Sequence, residues 1–432
     1  MRESDFRYFQ ISRLASSRQA VKTKRGRDQN SPAIHVCRSS NCPATRKMVS
    51  QYFDLQASWP TIHLSIFLVY LSFLRYLRWR HLRHLDEQPS LSPPDDDDII
   101  HRAHAIHVDT IHRDQYFLSR KGVEFGLIKT FAIPSISKLL AGTGEFRRNT
   151  ERRSEDVDLL VMEFLEHPPK SNRERLAIRR MNAIHAKYKG KISNEDYVYV
   201  LCVFACQAIM WIDRYSWREV HPLERQAVSM MAGTLHVSQI CKGLQVIFHL
   251  LYYPQHVNST QSYVYWRYIG NEMGIQNIPQ SHEAMEEYLH TFEKSKMGYS
   301  KSNTDVLEPV LNFNLSRCPK VARPLFRQLL AAMSHDQMQG ALGMAAPPRC
   351  AVFLLHFVLY VRGIFEEYLL PPRRKRLQRT PLDANKSDFE RVRPSFHPAA
   401  ACPYRITGYR IGELGPPGLL KDDEFGNELF SE

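Results

Sequence analysis

Ser171-Asn172-Arg173-Glu174-Arg175-Leu176-Ala177-Ile178-Arg179-Arg180-Met181-Asn182-Ala183-Ile184-His185-Ala186-Lys187-Tyr188 decides the fold class, together with the run from Ser193 to Trp217 that follows it. The first run opens with the capping box Ser171-x-x-Glu174, in which each side chain can satisfy a backbone amide that the helix leaves unpaired. Ile178, Met181, His185 and Tyr188 then recur every three or four residues and share one face. A second box, Ser193-x-x-Asp196, starts another helix with Tyr197, Leu201, Phe204, Ala208, Trp211 and Tyr215 on its inner side. A histidine aimed between two such helices is either hydrogen-bonded within a core or bound to something.

Helical periods continue in both directions. Helices are expected over 99–118, 121–131, 150–166, 172–188, 194–215, 222–231, 263–273, 282–296, 321–333 and 350–369, and no alternating run is long enough for a sheet. The fold class is therefore all-α: a large helical bundle with one transmembrane helix in front of it. That span is the uncharged run from Leu55 to Leu74, about 30 Å long as a helix, with Trp59, Tyr76 and Trp79 as interfacial anchors. Arg75, Arg78, Arg80 and Arg83 follow it, which places the C-terminal bulk in the cytosol.

The expected organisation is a basic tail (1–54), the transmembrane helix (55–77), an acidic linker (78–98), the helical domain (99–375) and a polar C-terminal tail (376–432). Met48 is an alternative start that would remove most of the basic tail. Cys350–Leu370 reads as a membrane-leaning core helix, and Arg373-Arg374-Lys375-Arg376 after it lies against anionic lipid or, the reading favoured, forms an ordinary solvated end. The net charge of +13 is no nucleic-acid footprint, because residues 1–47 carry eleven Lys and Arg against Glu3, Asp5 and Asp28. The eight cysteines have no zinc spacing and indicate a reduced compartment.

No phosphate-binding glycine loop, dinucleotide fingerprint, nucleophile elbow or H-E-x-x-H pair occurs. His101, His104, His107 and His112 read as a solvent-facing helix, since no more than two of them share a face. His185 differs because its neighbours are apolar. Arg153 heads the stripe of Val157, Leu160, Val161 and Phe164, and a guanidinium there needs an anion. It pairs with Glu155 or Asp156 at the surface, or it meets a ligand. A haem would serve both residues, taking the imidazole on iron and the arginine on a propionate or the distal oxygen species.

Several motifs carry a resemblance. Phe131-Ala132-Ile133-Pro134-Ser135-Ile136-Ser137-Lys138-Leu139-Leu140, Arg152-Arg153-Ser154-Glu155-Asp156, Arg180–Tyr188, Gly190–Asp196 and Trp211-Ile212-Asp213-Arg214-Tyr215-Ser216-Trp217-Arg218 resemble the fungal ER-bound oxygenases of mycophenolic acid biosynthesis and, more distantly, the bacterial rubber oxygenases known as latex-clearing proteins. The resemblance covers residues 55–375. It implies an all-α, O2-dependent oxidoreductase that binds haem b and cleaves carbon–carbon double bonds of isoprenoid or terpenoid chains. It also implies a single-pass protein of the endoplasmic reticulum membrane that works in fungal secondary metabolism.

Residue by residue, it makes His185 the proximal iron ligand and Arg153 the arginine of an Arg-x-x-x-Thr distal pattern. Val157 stands at the threonine position and lacks its hydroxyl. The alternative reading is a membrane-tethered binding protein of the same fold without catalysis. The resemblance lapses between Ala227 and Tyr265, where about 35 residues (229–263) exceed the family length and read as a retained intron.

Overall fold

A computed structural model describes residues 43–89, 91, 97–229, 269–279, 282–316, 318–381, 391–396 and 402–416, with side chains in the first helix from Trp59 onward. Most of the basic tail, the possible start at Met48 as far as its side chain goes, and the segment 229–263 beyond Ser229 lie outside the described residues. The chain divides into two units, Met1–Ile66 and Phe67–Glu432.

Helix α1 (Pro43–Asp86) carries that division. In the first unit, Trp59 stacks at a tilt on His63 with ring centroids 5.5 Å apart, and Ser65 donates to the Thr61 carbonyl. Ile62, Leu64 and Ile66 are exposed there, as are Leu68, Val69 and Phe73 of the second unit.

The second unit is all-α, and its described residues contain one isolated bridge, Val392 with Tyr409, in place of a sheet. Its front half holds α2 (Asp97–Asp109), a π-helical turn (Thr110–Asp114), α3 (Tyr116–Phe131), α4 (Pro134–Thr143), α5 (Glu145–Arg148) and α6 (Thr150–Glu166). The centre is α7 (Asn172–Ala186) and α8 (Asn194–Tyr215), followed by α9 (Pro222–Ser229). After the described gap come α10 (His282–Lys296), α11 (Lys301–Leu315), α12 (Arg323–Met333), α13 (Asp336–Ala341), α14 (Arg349–Ile364) with a π-helical turn (Phe365–Leu369), and α15 (Tyr404–Thr407).

Both caps form, with a local change of partner. Ser171 accepts from the Glu174 amide, while the Glu174 carboxylate takes the Lys170 amide at 2.7 Å instead of that of Ser171. Ser193 accepts from the Asp196 amide at 3.1 Å, and the Asp196 carboxylate receives the Ser135 hydroxyl, tying α4 to α8.

Helix α8 is long and apolar enough to cross a membrane, but it is mostly buried as the central core helix. Helix α3 lies along it through Gly122 and Gly126. A β-carbon on Gly122 would sit 2.6 Å from the Gln207 carbonyl oxygen, and one on Gly126 would sit 2.7 Å from Val203 Cγ1. The two backbones approach as closely as they do because neither position has a side chain.

Several sequence readings differ from the structure: residues 78–86, read as the start of the acidic linker, are the last part of α1, and the helix expected over 99–118 is interrupted by the π-helical turn. His104, His107 and His112 are buried, not solvent-facing: His104 meets the Leu165 carbonyl, and the Leu377 amide donates to the His112 carbonyl. Burial holds His104 down to about 4 and His112 to about 3. Among the described residues no group of three or more such side chains could hold a metal. The segment past Arg376 is also more than a polar tail. Arg379 is buried against Glu155, and the Arg379 and Thr380 amides donate to Glu166. Tyr404, Tyr409, Ile411 and Leu414 join the core. Burial raises Glu166 to about 7, only partly offset by its bonds from Thr380 and Arg379. The five described cysteines are free.

Candidate functional site

Helix α6 separates two environments. Glu155, Glu163 and Glu166 face the polar layer, where Arg173, Arg379 and Tyr409 meet them. Arg153, Val157, Leu160, Val161 and Phe164 face the other way, into an apolar cavity of about 220 Å³. Met181, Ile184, His185 and Tyr188 of α7 form a second wall, and Tyr197, Val200, Leu201 and Phe204 of α8 a third. Helices α3 and α4 close a further side with Phe131, Ile136 and Leu140. The three residues singled out in the sequence, Arg153, Val157 and His185, therefore line one chamber.

His185 lies in the last turn of α7, edge-on to the Tyr197 ring with centroids 5.3 Å apart. Burial, and then the positive charge of Arg153, push its pKa down to about 4, so the imidazole is neutral at physiological pH. A neutral ring offers a nitrogen lone pair to a metal. Arg153 lies over the Phe146 ring, 5.3 Å from its centroid. Among the described residues no carboxylate is within ion-pair distance of it, and burial lowers its pKa. The surface pairing considered from the sequence does not form: Glu155 binds Arg379 across the helix, and Asp156 receives the Tyr404 hydroxyl.

Asp156 is the functional candidate that sequence reasoning passed over. It lines the cavity beside Arg153, and burial raises it to about 6 despite the Tyr404 hydroxyl and the Gly415 amide that it accepts. Its partners lie some 250 residues downstream, so no local spacing announces them. Gly415 and Pro416 complete the chamber wall. Gly415 has φ of 102°, and a β-carbon there would come within 2.7 Å of Ile184 Cδ1, so glycine answers both backbone and space.

The donor set suits an iron porphyrin: a neutral imidazole, an unpaired guanidinium for a carboxylate, and apolar walls between. The cavity volume lies below the roughly 300–1,000 Å³ usual for ligand sites. A group of porphyrin size has to spread the walls, and Met181 and Met273 are the unbranched lining side chains that yield most readily.

An all-α chain with a half-buried, neutral histidine and a cation unmatched among the described residues, both facing one greasy chamber, belongs among proteins that take up an apolar ligand or cofactor. No protein-family model matches it. It is similar to the ER-bound oxygenase mpaB' of Penicillium brevicompactum, 28% identical over 254 residues, which are 58% of this chain and 55% of that protein. It is also similar to the ER-bound oxygenase mpaB of Penicillium roqueforti, 26% identical over 259 residues, covering 56% of this chain and 74% of the relative. A shorter stretch of 109 residues is 35% identical to the ER-bound oxygenase mpaB of Penicillium brevicompactum. The chain thus spans about half the length of the first of these relatives. The resemblance to fungal ER-bound oxygenases carried by the motifs is borne out as a distant similarity.

Proposed function

We propose that this protein is a membrane-anchored, haem-dependent oxygenase that acts on a carbon–carbon double bond of a prenyl or terpenoid chain. The observation that carries the reading is the placement of His185 and Arg153 on one apolar cavity, neither of them in an ion pair or side-chain hydrogen bond among the described residues. The relatives named as ER-bound oxygenases support the reaction class.

His185 would hold the iron through its neutral nitrogen, and Arg153 would hold an anion in the chamber. When bound, haem supplies dioxygen binding and electron transfer, which no side chain here can provide. Phe164, Phe204, Leu160 and Ile136 exclude water and accept a hydrocarbon chain. Asp156, poised near pH 6, can hold or release a proton beside Arg153.

Anchoring is part of the same proposal. Helix α1 carries an uncharged run of about membrane thickness whose described apolar side chains are mostly exposed, Leu74 being buried. We assign it as a single pass in the endoplasmic reticulum membrane with the helical unit in the cytosol, consistent with the arginines after the run. Val157 favours one second reading, a binding protein that takes up the ligand without consuming oxygen.

The test is an absorption spectrum of the full chain reconstituted with haem, beside His185→Ala. A Soret band in the wild type that is lost in the variant is the expected result. No band in the wild type overturns the haem assignment; a band with no oxygen consumption on any prenylated substrate leaves the binding-protein reading.

A further inference from the structure

A second concavity, far from the chamber in sequence, is built from the last turns of α1, the start of α3's preceding turn and the chain after α14. It has a volume of about 1040 Å³. One end is apolar, with Tyr70, Phe73 and Leu74; the other is lined by Arg78, Arg80, Arg83, Arg373 and Arg374. Of the two acids on its lining, the exposed Glu87 offsets one of these charges and Asp114 none. Asp114 is already held by Arg218 at 2.6 Å, and Arg218 is shared with Glu224.

Arg78 marks a built site. It is 6% exposed, its guanidinium lies 5.2 Å from the Trp217 ring centroid, and one nitrogen donates to the Leu370 carbonyl at 2.7 Å. Its Nε has no hydrogen-bond partner among the described residues. Burying such a donor is costly unless a ligand satisfies it. Arg80 and Arg374 are exposed at the rim.

A ligand that satisfies both ends must be amphiphilic, with an anionic head and a hydrocarbon body. We propose that this groove binds the phosphate headgroup of an anionic phospholipid, with the lipid chains leaving past Tyr70 and Phe73. The position agrees with the water-side end of the uncharged run, so the proposal rests on the reading of α1 as a span. It takes, for the basic residues after Pro372, the lipid contact that the sequence offered as the alternative to a solvated end. Trp217 is shared with a further concavity that the exposed Phe353, Phe357 and Tyr360 of α14 line.

The experiment is native mass spectrometry of the full chain in mild detergent with phosphatidylinositol, phosphatidylserine or phosphatidylcholine added singly. The comparison is Arg80→Gln with Arg374→Gln, both surface changes, with unchanged circular dichroism as the folding control. Anionic lipid should stay bound to the wild type and bind roughly thirtyfold more weakly to the double variant, two charges' worth at a membrane surface. Millimolar inorganic phosphate should not displace it. Equal retention of phosphatidylcholine, an unaffected double variant, or displacement by phosphate alone would each overturn the lipid assignment. Alkaline extraction of microsomes tests the anchor separately: release of the chain refutes the span even where the lipid preference and its loss in the variant persist.

Discussion

Replacing Arg153 by methionine should make the ligand-free protein more stable while destroying its capacity to hold an anion. The guanidinium sits against Phe146 with no carboxylate in ion-pair range, and burial disfavours its charged form. Methionine keeps the volume and removes the charge. Exchanging buried charges for apolar groups of similar size stabilises by about 1–4 kcal/mol. Here the lower half of that range applies, because part of Arg153 faces the cavity rather than packed protein, and ionised Asp156 offsets some of the penalty. A gain of about 1–2 kcal/mol is expected from urea unfolding at pH 7 of protein prepared without haem, with the m-value unchanged. Haem or anionic-ligand affinity should fall in the same variant. A loss of stability of 1 kcal/mol or more (roughly the median cost of an arbitrary substitution) would show that Arg153 is a structural residue and refute the argument.

Gly122→Ala should cost about 3 kcal/mol or more, because the new methyl meets the backbone of Gln207 and Ala208 at 2.6 and 3.0 Å and neither can rotate away; thermal unfolding checks it, and a neutral result means the helices can separate freely. His185→Leu should gain relative stability in acid. The folded wild type keeps the imidazole near 4 against 6.5 in the ordinary state, so its unfolded form takes up the proton first and stability is lost as pH falls from 6.5 toward 4. The gap between variant and wild type should widen by about 1.4 kcal/mol per pH unit across that window. A stop codon after Arg376 should yield insoluble or unfolded protein, since Glu155 and Glu166 would be buried without the partners that Arg379 and Thr380 supply; soluble, helical product would contradict this. Val157→Thr should alter the rate of oxygen consumption severalfold if a hydroxyl at that position serves the distal side, and an oxygen electrode reads it directly.

What the sequence made legible was whatever is local. The caps at Ser171 and Ser193 and the periodic stripes placed α6, α7, α8 and α10, and the same stripes put Arg153, Val157 and His185 on facing walls. Helix α11 escaped because Asn, Ser and Thr dominate its first turn and Pro309 sits inside it, although a proline there costs only one hydrogen bond once packing supports the rest. Helix α4 was read as a motif and not as a helix, its start fixed by Pro134. The larger omission was polar. Glu155, Glu163 and Glu166 on α6 look solvent-facing by ordinary expectation, and the buried arginine and tyrosines that meet them arrive from residues 379–409. Long-range compensation of this kind leaves no trace in spacing, and it is also why His104, His107 and His112 were read as exposed.

The chamber's final wall is also its latest in synthesis. Arg180 of α7 donates to the Leu414 carbonyl, Asp156 waits for Tyr404 and Gly415, and Gly415 and Pro416 shut the remaining gap. A ribosome must therefore translate at least to Pro416 before the nascent chain can seal its interior. Until then the chamber beside the imidazole lacks the stretch of wall that Gly415 and Pro416 supply.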